Sequence, residues 1–107
     1  MKAHNAAGYR RGCRCDICSA AEWTRKNGAP LAPGTYAKLE KAQDGVCAIC
    51  GGPPKRGKLC IDHCHETGTI RGLLCHQCNR SIGGLGDQLS WILRAAIYLE
   101  RSLLRGV

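Results

Sequence analysis

The chain has 107 residues, nine cysteines and no phenylalanine, and 16 Lys and Arg against 8 Asp and Glu give it a formal net charge of +8. So short a chain is one domain, or one domain with an arm, and its limited core would benefit from a metal staple. No apolar run is long enough to cross a bilayer, and the polar start MKAHNAAGYRR lacks the layout of a signal peptide. The expectation is therefore the reducing cytoplasm and no membrane partner, a setting in which cysteine means metal more often than disulfide. The basic balance suits a polyanionic partner, although the charge is spread along the chain and does not cluster.

Residues 1–34 form a polar arm, closed by Gly28, Pro30, Pro33 and Gly34. Within it Cys13, Cys15 and Cys18 make a compact C-x-C-x-x-C cluster, and His4 can complete a tetrahedral Cys3His set for zinc or another thiophilic ion. The competing reading is a set of free thiols on a flexible arm. A short helix is expected from Ser19 to Lys26. The second unit, residues 35–107, opens with a predicted helix from Thr35 to Gln43, capped by Thr35 and ended by Gly45.

Cys47 and Cys50, followed by Gly51 and Gly52, form a metal knuckle, and Cys75 and Cys78 form a second pair after residues 51–74. Four thiolates in two such pairs suit a closed structural zinc site. Between the pairs the pattern predicts a basic loop at Lys55, Arg56 and Lys58 and a strand from Leu59 to His65. A turn at Glu66–Gly68 and a returning strand from Thr69 to Leu74 complete the hairpin. A helix follows from Cys75 to Ile82, stopped by Gly83 and Gly84. The last helix is expected over Gln88–Arg105 with Asp87 as N-cap. Its apolar stripe includes Leu89, Ile92, Leu93, Ile97, Leu99, Leu103 and Leu104, and must bury itself against the core or a second copy. The expected class is a small α+β zinc-stapled domain with flanking helices.

The hairpin carries Asp62, His63 and His65, and Asn79 directly follows Cys78. Neighbours on a flat strand point to opposite faces, so the backbone is expected to bend at His63 if Asp62 and His63 act together. Cys60 and Cys64 read as small buried thiols, and His76 as a surface residue or DNA contact rather than a ligand. Arg71 can pair with Asp62 or Glu66, or touch a phosphate.

The run from Tyr36 to Glu100 resembles the bacteriophage recombination endonuclease VII family, within the His-Me finger (HNH) nucleases. The resemblance rests on Cys47/Cys50, Asp62-His63-Cys64-His65, Gly68, Arg71-Gly72-Leu73-Leu74-Cys75, Cys78-Asn79, the segment Gly83–Asp87 and the helix ending Tyr98-Leu99-Glu100. It implies a ββα-metal core and a metal-dependent DNA endonuclease that nicks branched DNA, working as a homodimer. A phage-encoded member would act in the host cytoplasm. By the same resemblance Cys47, Cys50, Cys75 and Cys78 hold zinc, Asp62 and Asn79 hold Mg²⁺ or Mn²⁺, His63 is the general base, and His65 is a further active-site histidine. The chemistry is consistent with these residue types: an imidazole suits removal of a proton from water, and a hard cation prefers oxygen ligands. Two alternatives remain: a general HNH nicking or packaging-associated endonuclease on duplex DNA, and a non-catalytic zinc module that binds nucleic acid.

Overall fold

The structure, a computed structural model, describes residues 3–104. Seven elements follow in order: α1 (Ala6–Arg10), α2 (Asp16–Asn27), α3 (Thr35–Ala42), β1 (Cys60–His63), β2 (Ile70–Leu74), α4 (His76–Gly84) and α5 (Leu89–Leu104). The hairpin β1-β2 lies between two cysteine pairs and α4 begins within the second of them, giving a small α+β domain able to hold zinc. The molecule is elongated, 66 × 27 × 20 Å.

The core is small because the sheet has two strands, covered by two short helices, α3 and α4. β1 and β2 pair antiparallel, with Cys60 opposite Leu74 and Ile61 opposite Leu73. Leu73 is fully buried, and Leu59, Leu74, Cys47 and Cys75 complete the cluster. Tyr36 and Leu39 from α3 and Ile82 from α4 pack around it. With so few apolar side chains, two of the core positions are cysteines of the metal cluster.

Polar contacts fix α3 to the sheet. The Tyr36 hydroxyl donates to the Leu59 carbonyl at 3.2 Å. Gln43 acts as a surrogate strand: its amide nitrogen donates to the Leu73 carbonyl at 3.0 Å, and its amide oxygen accepts from the Leu73 N–H at 2.9 Å. A side chain at Gly72 would place Cβ 3.1 Å from that amide oxygen, which explains the glycine there.

Ahead of this core, α1 packs on α2. Asn5 caps α1 by accepting from the Gly8 N–H, and a left-handed Gly28 ends α2. The buried Glu22 is held by Arg25 at 2.7 Å and by Arg10 at 3.3 Å. The Arg25 hydrogen bond keeps its carboxyl below the usual range.

Several boundaries depart from the sequence expectation, each for a local reason. α1 was not expected at all. α2 starts at Asp16, ahead of Ser19, because Cys15 serves as its cap. α3 begins at Thr35 behind a left-handed Gly34, and Thr35 makes no capping bond. Both strands are shorter than expected. α4 runs through Gly83 and Gly84, so those glycines do not stop it. Asp87 is not the cap of α5: it sits at φ 56° with its carboxylate on Arg71, and the helix begins at Leu89. Arg105, the expected end of that helix, lies outside the described residues, as do residues 1, 2, 106 and 107 of the two expected units.

α5 is not covered by the core. None of its residues is buried, and Leu89, Tyr98, Leu99, Leu103 and Leu104 are largely exposed. No helix among the described residues is long and apolar enough to cross a membrane.

Candidate metal centres and active site

The four-cysteine cluster is assembled from two local devices. Cys47 and Cys50 lie in the turn after α3, where the Ile49 N–H donates to the Cys47 sulfur and the Gly52 N–H to the Cys50 sulfur, both at 3.4 Å. Cys75 caps α4 and accepts from the Cys78 N–H, also at 3.4 Å. The four sulfurs all lie within 4.8 Å of one another, with Cys50 and Cys75 3.9 Å apart. A zinc ion with bonds of about 2.3 Å to sulfur needs tetrahedral edges of about 3.8 Å, which the Cys50–Cys75 separation matches. Ionisation is unevenly shared. Burial opposes it at Cys47, yet donation from the Cys75, Cys50 and Ile49 amides brings that thiol down to about 6. The bond to Cys75, followed by burial, pushes Cys78 up to about 12. Thiolates this close repel one another, and a divalent cation among them removes the penalty.

A second cluster has the same character. His4, Cys13, Cys15 and Cys18 place their ligand atoms within 4.8 Å of one another. Both Cys/His clusters can hold zinc.

The hairpin between the cysteine pairs carries Asp62, His63 and His65 of the sequence-predicted catalytic residues, and α4 carries the fourth, Asn79. The expected irregularity is present: the pairing register shifts between Asp62 and His63, so that Asp62 faces Gly72 while His63 faces Ile70. The extra residue is on the opposite strand and is Arg71. Its guanidinium forks onto Asp62, with Nε 2.7 Å from Oδ2 and Nη2 2.9 Å from Oδ1, and Nη2 also donates to Asp87 at 2.7 Å. Of the partners open to Arg71, the structure selects Asp62 and adds Asp87. These bonds raise the Arg71 pKa and lower that of Asp87. Asp62 is buried under this clamp.

His63 stands between two rings. Trp23 of α2 meets it edge to face, with centroids 5.2 Å apart and planes at 85°, and His65 lies 4.7 Å away on a tilted plane. His65 is exposed at the turn. Asn79 is half-buried on α4, and no hydrogen bond among the described residues links its side chain to Asp62 or His63. Cys60 and Cys64 are each half-buried, less so than expected. The Cys60 sulfur lies 3.4 Å from His76 Nδ1, and the Cys64 backbone closes the turn with Gly68 and Thr69. Two open grooves flank the hairpin. One, about 470 Å³, is lined by Lys55, Arg56, Lys58, His76, Gln77 and Arg80, and the other, about 410 Å³, by His65, Glu66, Arg71 and Asp87.

Sequence reasoning missed three contributors. Trp23 could be noticed only as an aromatic in a polar arm. Asp87, by residue type and position, suits a helix cap equally well, which hides its pairing with Arg71. Gln43 carries no signal for its strand-like bonding.

The fold and the paired cysteines thus define a zinc-stapled hairpin-and-helix module, and comparison with known proteins places it. The recombination endonuclease VII family profile matches residues 24–101. The chain belongs to the recombination endonuclease VII family. Similar phage proteins include the Gene 59 protein of Mycobacterium phage D29, 41% identical over 68 residues, which are 62% of this chain and 41% of that protein. The Gene 59 protein of Mycobacterium phage L5 is 39% identical over 66 residues, covering 60% of this chain and 40% of its own length. The chain spans about two-fifths of the length of these curated relatives. No solved structure matches it significantly.

Proposed function

We propose that this protein is a metal-dependent DNA endonuclease that hydrolyses phosphodiester bonds on branched DNA. The observation that carries the reading is the placement of Asp62, His63 and His65 on one bulged hairpin clipped to the four-cysteine cluster, inside the segment shared with the family. His63 is the general base that takes a proton from the attacking water. Its ring is held by Trp23 and His65, which limits the orientations it samples. Asp62 and Asn79 would hold the divalent cation, Mg²⁺ or Mn²⁺. The donor set fits such an ion in kind: one carboxylate and one amide oxygen, with one lone pair on each Asp62 oxygen not used by Arg71. The cation supplies Lewis-acid stabilisation of the phosphate and the leaving oxygen when bound. Arg71, already forked between two carboxylates, orients Asp62, and its half-exposed edge can meet a phosphate oxygen. Zinc in the four-cysteine cluster positions the hairpin and α4. Lys55, Arg56, Lys58 and Arg80 line a groove suited to the DNA backbone.

The bare apolar surface of α5 supports a homodimer, in which two copies of the helix cover each other. Light scattering on the wild type and on Leu99→Glu tests this: a dimer that becomes a monomer supports it, and a monomeric wild type rejects it. One observation favours a second reading, a zinc module that binds nucleic acid without cutting it: both oxygens of Asp62 are engaged by Arg71.

The deciding experiment is cleavage of a four-way junction, a linear duplex and a single strand, with Mg²⁺ and with EDTA, by wild type and His63→Ala. Preferential Mg²⁺-dependent nicking of the junction, lost in His63→Ala, is the expected result. Equal cutting of the duplex moves the function to the general HNH reading, and binding without cutting selects the zinc module.

A further inference from the structure

We infer that His4, Cys13, Cys15 and Cys18 form a second structural zinc site, and that its task is to seat Trp23 against the His63 imidazole. The zinc site stands on its own geometry, whereas its consequence for cleavage rests on the role proposed for His63.

The decisive geometry is at His4. Its Nδ1 lies 3.4 Å from the Cys15 sulfur, 3.6 Å from Cys18 and 4.0 Å from Cys13. One ring nitrogen cannot share a hydrogen bond with three thiols at once. It can share a cation with them: bonds of about 2.0–2.1 Å to nitrogen and 2.3 Å to sulfur give N···S edges of about 3.6 Å. With four protein ligands the tetrahedron is closed, which marks a structural site and leaves no open position for substrate.

The backbone is arranged for it as well. Cys15 caps α2 at φ −65°, ψ 162° and accepts from the Cys18 N–H, while Cys75 caps α4 at φ −68°, ψ 160° and accepts from the Cys78 N–H. The Cys18 side chain is fully buried although the surrounding arm is polar. Gly8 makes room for it: a Cβ there would sit 2.7 Å from the Cys18 sulfur. Donation from the Cys18 amide brings Cys15 down to about 6, and burial pushes Cys18 up to about 11.

The link to the active site runs along α2. Cys18 lies in its first turn and Trp23 five residues on, next to the Glu22 that Arg10 of α1 clamps. Trp23 presents its edge contact to His63. Just beyond the helix, the buried Ala29 and the exposed Pro30 lie against Gly68 in the hairpin turn, where a Cβ would be 3.7 Å from the Ala29 methyl. The cluster thus holds one end of α2 and the hairpin meets the other, with Trp23 between them.

The test uses the full chain and three variants. Native mass spectrometry of the wild type is expected to count two zinc ions, and of Cys18→Ser one, with the amide spectrum of residues 35–104 preserved. In Cys18→Ser the His63 ring resonances should lose the shift imposed by the Trp23 indole. Trp23→Leu should keep both zinc ions yet show the same loss at His63. Its cleavage should slow by roughly tenfold to a hundredfold through kcat, with an altered pH profile, and Trp23→Phe should restore most of the rate. One zinc per wild-type chain overturns the site. His63 resonances in Cys18→Ser identical to wild type overturn the coupling. Failure of the nuclease reading is distinguishable, because the wild type would then cut nothing while the zinc counts and His63 signals behaved as stated.

Discussion

Two helices in this chain begin in the same way and serve different ends. α2 and α4 each start on the first cysteine of a C-x-x-C pair, which caps the helix and accepts the N–H of the second. α4 lies against both strands, and its partners Cys47 and Cys75 are themselves part of the apolar core. α2 packs on α1, draws its remaining ligands from Cys13 and His4, and reaches the hairpin through Trp23 and the Ala29–Pro30 segment. The same local device therefore makes a scaffold where its sulfurs join the apolar cluster of the sheet and a brace where its buried sulfur, Cys18, lies outside that cluster. What differs is which other parts of the structure depend on it.

The comparison predicts a clear inequality. Cys47→Ser should abolish cooperative unfolding altogether, because zinc contributes on the order of 10–16 kcal/mol in small metal domains, as much as an entire domain's stability of roughly 5–15 kcal/mol. Cys15→Ser should unfold only the helices before residue 28 and leave a cooperative transition for the rest. Circular dichroism melts of the two variants check this, and equal loss of structure in both would erase the distinction.

Next in size is Leu73→Ala, which removes the largest fully buried side chain among the described residues. It should cost about 2–5 kcal/mol in urea unfolding, and a loss below about 1 kcal/mol would mean that the metal cluster alone carries the domain. Arg71→Lys keeps a charge and loses the fork that holds Asp62 and Asp87. A stability loss of about 1–3 kcal/mol is expected, discounted towards the low end by the exposure of Arg71, with a larger effect on cleavage than on zinc content. Unchanged cleavage would remove Arg71 from the site. The smallest effect is Gln43→Ala, about 1 kcal/mol, measured as faster exchange of the Leu73 amide proton. Exchange at the wild-type rate would show that the surrogate strand is dispensable.

Much of this was legible in residue spacing. Both C-x-x-C pairs, the hairpin between them and the helix behind Cys75 follow from ligand geometry and local patterning, and so does the alternation that made an irregularity at His63 necessary. The irregularity occurs at that step, but the residue accommodating it is Arg71 on the neighbouring strand, which no reading of β1 alone could show. Asp87 illustrates the limit from the other side. As a residue type before a helix it reads as a cap, yet an Arg71 sixteen residues earlier claims its carboxylate. The apolar stripe of α5 was plain, whereas its lack of cover within the chain depends on where the helix leaves the core.

By itself the sequence determined which residues can ligate metal and in what local frame, since a cysteine pair, a cap and a turn interact over only a few bonds of chain. It also determined the family, through a pattern that recurs in phage proteins. Only the tertiary structure decided which partners those residues meet across the chain: Trp23 on His63, Arg71 between two carboxylates, Gln43 along β2. These contacts depend on how α2, α3 and the loop before α5 are laid against a two-stranded sheet. Such placement is set by packing and charge pairing between distant segments, which have no fixed spacing in the sequence.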